Sequence, residues 1–181
     1  MTDKKKALEE IAEEIENCKV CKIGTSGKAV AGEGSPDAKV MFVGEAPGKT
    51  EARTGRPFVG RSGQLLRSTL KMLGINENEV FITSPVKYLP DRKTPSKSQI
   101  KHGNEHLHKQ IDVIGPKIIV LLGNTACTAL LNSKTPILKN HGKVTVQNAR
   151  KYLITLHPSA VLRFPHKFKH LFISDLKRLR D

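Results

Sequence analysis

The sequence predicts a single α/β domain of three layers, in which a mainly parallel sheet is covered by helices on both faces. Three observations carry this. Short apolar and β-branched runs recur at Lys39–Val43, Val80–Thr83, Ile118–Leu122 and Lys151–Leu156. Segments of helical spacing separate them, the arrangement that lets successive strands lie parallel. The run Ile118–Leu122 is apolar at every position, as a central strand buried on both faces requires. The chain has 181 residues, enough for one sizeable core. It shows no internal repeat, linker or low-complexity tract, so residues 1–181 are read as one domain.

Taken in order, Leu8, Ile11 and Ile15 fall on one face of a helix that ends near Asn17, its other face being Glu and Lys. Cys18-Lys19-Val20-Cys21 follows, then a glycine-rich loop to Asp37. After the first strand the stretch Gly44–Leu66 holds five glycines, two prolines, two acids and three arginines with hardly any periodicity. A helix is expected from Gln64 to Leu73, stopped by Gly74. The second strand runs into Ser84-Pro85-Val86-Lys87-Tyr88, and Asp91–Ser98 is a basic, proline-containing loop. A helix over roughly Lys97–Ile114 ends at Gly115-Pro116, and Gly123-Asn124 opens a short one through Leu131. Lys143–Val146 is read as a hairpin partner, His157–Arg163 as a loop, and about Lys167–Arg180 as a basic closing helix. The loops at Gly44, Ser84 and His157 all leave carboxyl ends of strands, where open α/β sheets place their sites.

Composition narrows the partners. There are 31 Lys+Arg against 17 Asp+Glu, a net charge of +14, which favours a polyanion, nucleic acid being the commonest. The absence of tryptophan and the few aromatics argue against a broad stacking surface for single strands. Three cysteines make no disulfide framework. No apolar run reaches the length of a membrane span and no signal peptide precedes the first helix, so an intracellular, cytoplasmic protein without a membrane partner is expected.

Gly44–Thr50 has the strand–loop setting of a phosphate-binding P-loop. That motif needs four residues between its first glycine and Gly-Lys-Thr, and here there are three. Glu45 would also set a carboxylate beside the phosphates. The stretch instead resembles uracil-DNA glycosylases of the family 4 type. It carries Gly44-Glu45-Ala46-Pro47-Gly48, Glu51, Gly55-Arg56-Pro57-Phe58-Val59-Gly60 and Gly63-Gln64-Leu65-Leu66 at the family spacing without a gap, with Ala52 in place of an aspartate. A second landmark, His-Pro-x-Ala-x-Leu-Arg, is met by His157–Arg163.

The resemblance implies roles residue by residue. His157 would donate to O2 of the extruded uracil and stabilise the leaving anion. Glu45 and Ala46 would lie beside the sugar, where Glu45 would orient water or offset oxocarbenium charge and Ala46 cannot act as a base; Gly44 would be among the substrate-binding residues. Glu51 matches the residue flanking C5 of uracil, and Phe58 the ring that stacks on the flipped base. Leu162 would wedge into the duplex, with Arg163 and Lys87 on phosphates. Ser84 stands where the family has the asparagine that reads O4 and N3–H, so a looser base range is expected. The implied 4Fe-4S cluster needs four cysteines; only Cys18 and Cys21 match, with Tyr88 and Gly103 at the other positions. No cofactor is expected, packing taking its place; the alternatives are a 4Fe-4S cluster or zinc through Cys18 and Cys21, the latter with help from His102, His106 or His108. The implied protein is a monomeric, monofunctional DNA glycosylase. It would act on DNA containing uracil or another deaminated base, by base flipping, to start base excision repair. The other readings are a glycosylase-fold DNA-binding module with weak or no catalysis, and an RNA- or nucleotide-handling protein of the same fold.

Overall fold

The computed structural model describes residues 3–133 and 135–180. Helix α1 (Asp3–Asn17) buries Ile11 and Ile15 and turns its Glu/Lys face to solvent. Two short strands, β1 (Thr25–Ser26) and β2 (Glu33–Gly34), lead to β3 (Val40–Val43). The stretch after β3 contains a helix that periodicity does not reveal, α2 (Lys49–Thr54). It is too short to carry an apolar stripe. Its start is fixed by Glu51, whose Oε2 accepts from the Gly48 N–H at 3.1 Å. Helix α3 (Arg61–Met72) begins almost a turn earlier than the Gln64 expected, with Gly60 in the extended conformation as its N-cap.

A short 3₁₀ turn (Glu77–Glu79) precedes β4 (Val80–Thr83), followed by β5 (Leu89–Pro90). Helix α4 (Lys97–Ile114) starts at a Ser96–Gln99 capping box and stops at Gly115, as its sequence signals require. Then come β6 (Ile118–Leu122), α5 (Asn124–Leu131), α6 (Ile137–Asn140), β7 (Val144–Gln147) and β8 (Arg150–Thr155). His157–Arg163, read as a loop, is instead the N-cap and body of a short helix, α7 (Pro158–Arg163); six residues leave no room for an apolar period. The closing helix α8 spans Pro165–Lys177. No helix among the described residues is long and apolar enough to cross a membrane.

The main sheet has the order β2-β4-β3-β6-β8-β7. The four inner strands are parallel, and an antiparallel strand lines each edge. The β7–β8 hairpin turns through Asn148 and Ala149, both with positive φ (51° and 59°), as a two-residue I′ turn demands.

Strand pleating sends alternate residues to two cores. Met41, Val43, Ile119, Leu121 and Ile154 meet α4 and α5 on one side; Phe42, Val120, Leu122 and Leu153 meet α3, α7 and α8 on the other. The result is three layers, helix on sheet on helix. From β3 the chain moves outward to β4, then returns to place β6 on the other side of β3. The crevice where that reversal occurs, at the carboxyl ends of β3 and β6, is where such sheets receive ligands.

Candidate active site

A cavity of about 680 Å³ opens at this carboxyl edge, lined by Glu45, Glu51, Phe58, Ser84, His157 and Ser159 among others. Loops that follow β3, β4 and β8 supply these side chains, so residues far apart in sequence share one wall.

His157 caps α7. Its Nδ1 accepts from the Ser159 backbone N–H at 3.1 Å and lies 2.7 Å from Ser159 Oγ. A nitrogen that accepts a backbone N–H carries no proton. The neutral ring therefore bears its hydrogen on Nε2, the nitrogen left free to donate. Burial pushes the His157 pKa below its ordinary value, with the Glu45 carboxylate pulling weakly the other way. The ring at neutral pH is thus an uncharged Nε2–H donor.

Glu45 is held across the crevice, its Oε2 accepting from Thr125 Oγ1 at 2.6 Å. Thr125 sits in the first turn of α5, and sequence reasoning missed it. Nothing in its own stretch signals a partner eighty positions away; only the β3–β6 pairing reveals it. Ala46 lines the same cavity without a polar side-chain atom.

Phe58 adopts φ +51°, the left-handed region that aromatic residues rarely visit. The edge of its ring abuts Gly44, where an added Cβ would stand 2.5 Å from Cζ and would force the ring to shift. The ring centroid is 6.2 Å from that of His157. Two residues hold this geometry. Arg67, also missed by sequence reasoning, donates from Nε to Phe58 O and from Nη2 to Pro57 O, each at 2.9 Å. Arg67 is itself clamped by Glu33 and Glu77. Glu51 accepts three backbone N–H groups, from Gly48 (3.1 Å), Val59 (2.9 Å) and Gly60 (2.7 Å). Its carboxylate ties the two ends of the loop together at the cavity wall.

Ser84 is 5% exposed, and its hydroxyl donates to Val86 O at 2.7 Å. It keeps acceptor lone pairs but no free donor. Lys87 corrects the expectation of a phosphate contact. It is 1% exposed, and its ammonium turns inward to Thr83 Oγ1 (2.8 Å), Gln110 Oε1 (2.9 Å) and Ala31 O (3.3 Å). Burial lowers its pKa to about 7, against the pull of Cys21. It braces β4 and cannot reach a duplex. On α7, Leu162 is half-buried and Arg163 exposed. Phe164, which follows and which sequence reasoning did not single out, is 53% exposed, its ring edge-on to Phe168.

A second constellation lies behind the cavity, where α1 meets α4. The ligand atoms of Cys18, Cys21, His102 and His106 all lie within 4.8 Å of one another, a group that can hold a metal ion. His108, the third histidine considered, is exposed and outside it. Burial works to raise the Cys18 pKa, but hydrogen bonds from His102 and the Cys21 N–H outweigh it and the pKa falls. Burial and the neighbouring Cys18 push Cys21 up to about 12. The remaining two ligands of a four-thiolate cluster are not available. Tyr88 is buried, its hydroxyl 3.1 Å from Ile15 O and 3.2 Å from Glu16 O. At Gly103 an added Cβ would lie 2.0 Å from Pro85 O.

A mainly parallel sheet covered by helices on both faces, with a neutral histidine donor and an aromatic ring sharing one cavity at its carboxyl edge, marks an α/β protein whose site lies at that edge. The family model described as the uracil DNA glycosylase superfamily matches residues 31–179. The chain belongs to the uracil-DNA glycosylase superfamily. It is 39% identical to a type-4 uracil-DNA glycosylase of Sulfurisphaera tokodaii, covering 97% of this chain and 84% of that one. It is 33% identical to a type-4 enzyme of Thermotoga maritima, over 100% and 97% of the two chains. A type-4 enzyme of Pyrobaculum aerophilum is 38% identical over 87% and 86%.

Proposed function

We propose that this chain is a monofunctional DNA glycosylase that hydrolyses the N-glycosidic bond of uracil, or a related deaminated base, in DNA, and so initiates base excision repair as a monomer. The observation that carries the reading is the Ser159 N–H donated to Nδ1 of His157, which leaves an Nε2–H donor on a ring that lines the same cavity as Phe58. Bond cleavage leaves negative charge on the departing base and positive character on the sugar. A neutral donor preset at the base oxygen stabilises the first, at no cost of reorganisation. Glu45, oriented by Thr125, offsets the second and positions water. Phe58 stacks on the flipped base, and the Glu51 carboxylate, locked by three N–H donors, forms an immobile wall against bulk at C5. Leu162 fills the vacated gap and Arg163 holds phosphate, beside exposed Arg92, Lys93, Lys167 and Lys169.

The test is to incubate the protein with labelled duplexes containing uracil, hypoxanthine or xanthine, then cleave abasic sites with alkali. Alkali-labile product from the uracil strand is expected. Tight binding without product would support the DNA-binding module instead.

Two further outcomes follow from the site's charges. Because His157 acts neutral and its pKa is held below the ordinary value of about 6.5, the excision rate should stay level down to about that pH. It should fall only on further acidification, as the ring charges and Nδ1 loses its acceptor role. A rate that instead rises as the pH drops would mean that a protonated ring does the work. With a net charge of +14, log K for undamaged duplex should fall by about 0.9 per phosphate contact for each log unit of salt. Salt-independent affinity, measured by fluorescence anisotropy, would remove the backbone contacts from the account.

A further inference from the structure

We propose that Cys18, Cys21, His102 and His106 form a tetrahedral zinc site that clamps α1 to α4, in place of the iron–sulfur cluster implied by the family resemblance. The donor set is the first reason. Two thiolates and two imidazoles suit a single zinc ion, whereas a 4Fe-4S cluster takes four thiolates. The third and fourth sulfur positions are closed by the Tyr88 hydroxyl contacts and by the approach of Pro85 O to Gly103.

Geometry is the second reason. Zinc–sulfur and zinc–nitrogen bonds of about 2.3 and 2.0–2.1 Å place tetrahedral ligands roughly 3.3–3.8 Å apart. Cys18 Sγ and His102 Nε2 are 3.1 Å apart, and all four ligand atoms fall within 4.8 Å. His102 and His106 stand one turn apart on α4, so both rings face the Cys-x-x-Cys turn at the end of α1.

The third reason is an orphan. His106 is 7% exposed, yet neither of its ring nitrogens has a hydrogen-bond partner. A buried imidazole with both nitrogens unpaired is costly unless a ligand completes it. Around the rings stand the carboxylates that metal-bound histidines use for orientation. His102 Nδ1 is 3.6 Å from Glu105 Oε2, and His106 Nδ1 is 3.9 Å from Glu14 Oε2. Two thiolates and one divalent ion sum to zero charge, so the site adds no uncompensated charge beside buried Lys87.

The protein purified without chelator should carry about one zinc per chain after dialysis, by elemental analysis. Cys18→Ser and His106→Gln should each reduce this to under about a tenth. A strong chelator should lower the melting temperature of the wild type but not of His106→Gln. Should the variants fold poorly, cobalt loading of the wild type keeps the question open to measurement. It should yield the intense visible bands of a tetrahedral cobalt–thiolate centre, and His106→Cys should retain the metal with a shifted charge-transfer band. Close to four irons per chain would overturn the proposal. So would zinc content unchanged in both variants, or wild-type protein that binds neither zinc nor cobalt.

Discussion

Replacing His157 by alanine is expected to lower single-turnover uracil release by about 10²- to 10³-fold, the range found when one oxyanion-stabilising donor is removed. The ring also caps α7 through Nδ1, so His157→Ala should cost about 1 kcal/mol of stability as well. His157→Ser separates the two effects. Serine restores a capping oxygen but supplies no donor at the Nε2 position. Its melting temperature should recover while the rate stays low, and affinity for undamaged duplex should be unchanged in both variants. A serine variant that recovers activity along with stability would show that His157 matters only as a cap.

The second large effect is expected at Ser84. An edge of a buried base left without a partner costs about 1–3 kcal/mol, about 5- to 150-fold in rate. The Ser84 hydroxyl is already committed to Val86 O, so it can accept from N3–H of a base but has nothing to donate to O4. Pro85 removes the next backbone N–H as a substitute. Wild type should therefore tolerate hypoxanthine or xanthine beside uracil. Ser84→Asn, whose amide both donates and accepts, should raise uracil excision by about tenfold and narrow the range. Single-turnover rates on each lesion decide it. A strictly uracil-specific wild type that is slowed by the asparagine would assign base reading to other groups.

The four central strands and the long helices were legible because each rests on local signals, apolar runs, helical spacing and helix-ending glycines, and the convergence of loops followed from their leaving strand carboxyl ends; the two-residue strands β1, β2 and β5 fall in stretches that read as loops. The motif residues Glu45, Phe58 and His157 were equally legible, and they share one cavity. What sequence did not reveal is how that cavity is held. Thr125 on Glu45, Arg67 under Phe58 and Ser159 on His157 act through contacts that only the sheet order or a short helix creates. Lys87 was misplaced for a related reason. A lysine after a strand reads as surface charge, but three acceptors gathered from distant segments make an interior berth for it. The short helices α2, α6 and α7 escaped because four to six residues cannot show a period. The Cys/His group was visible only in part, since the pairing of a turn with one face of α4 depends on how α1 docks.

The central claim is that the cavity at the carboxyl edge severs the base and leaves the sugar–phosphate chain whole. Mass analysis of a single turnover on a uracil-containing duplex tests it most directly. Free uracil should appear in equal amount with an intact abasic strand, with no protein–DNA adduct, and the His157→Ser variant should slow both products together. A strand cut without alkali, a covalent adduct, or loss of substrate without free uracil would contradict it.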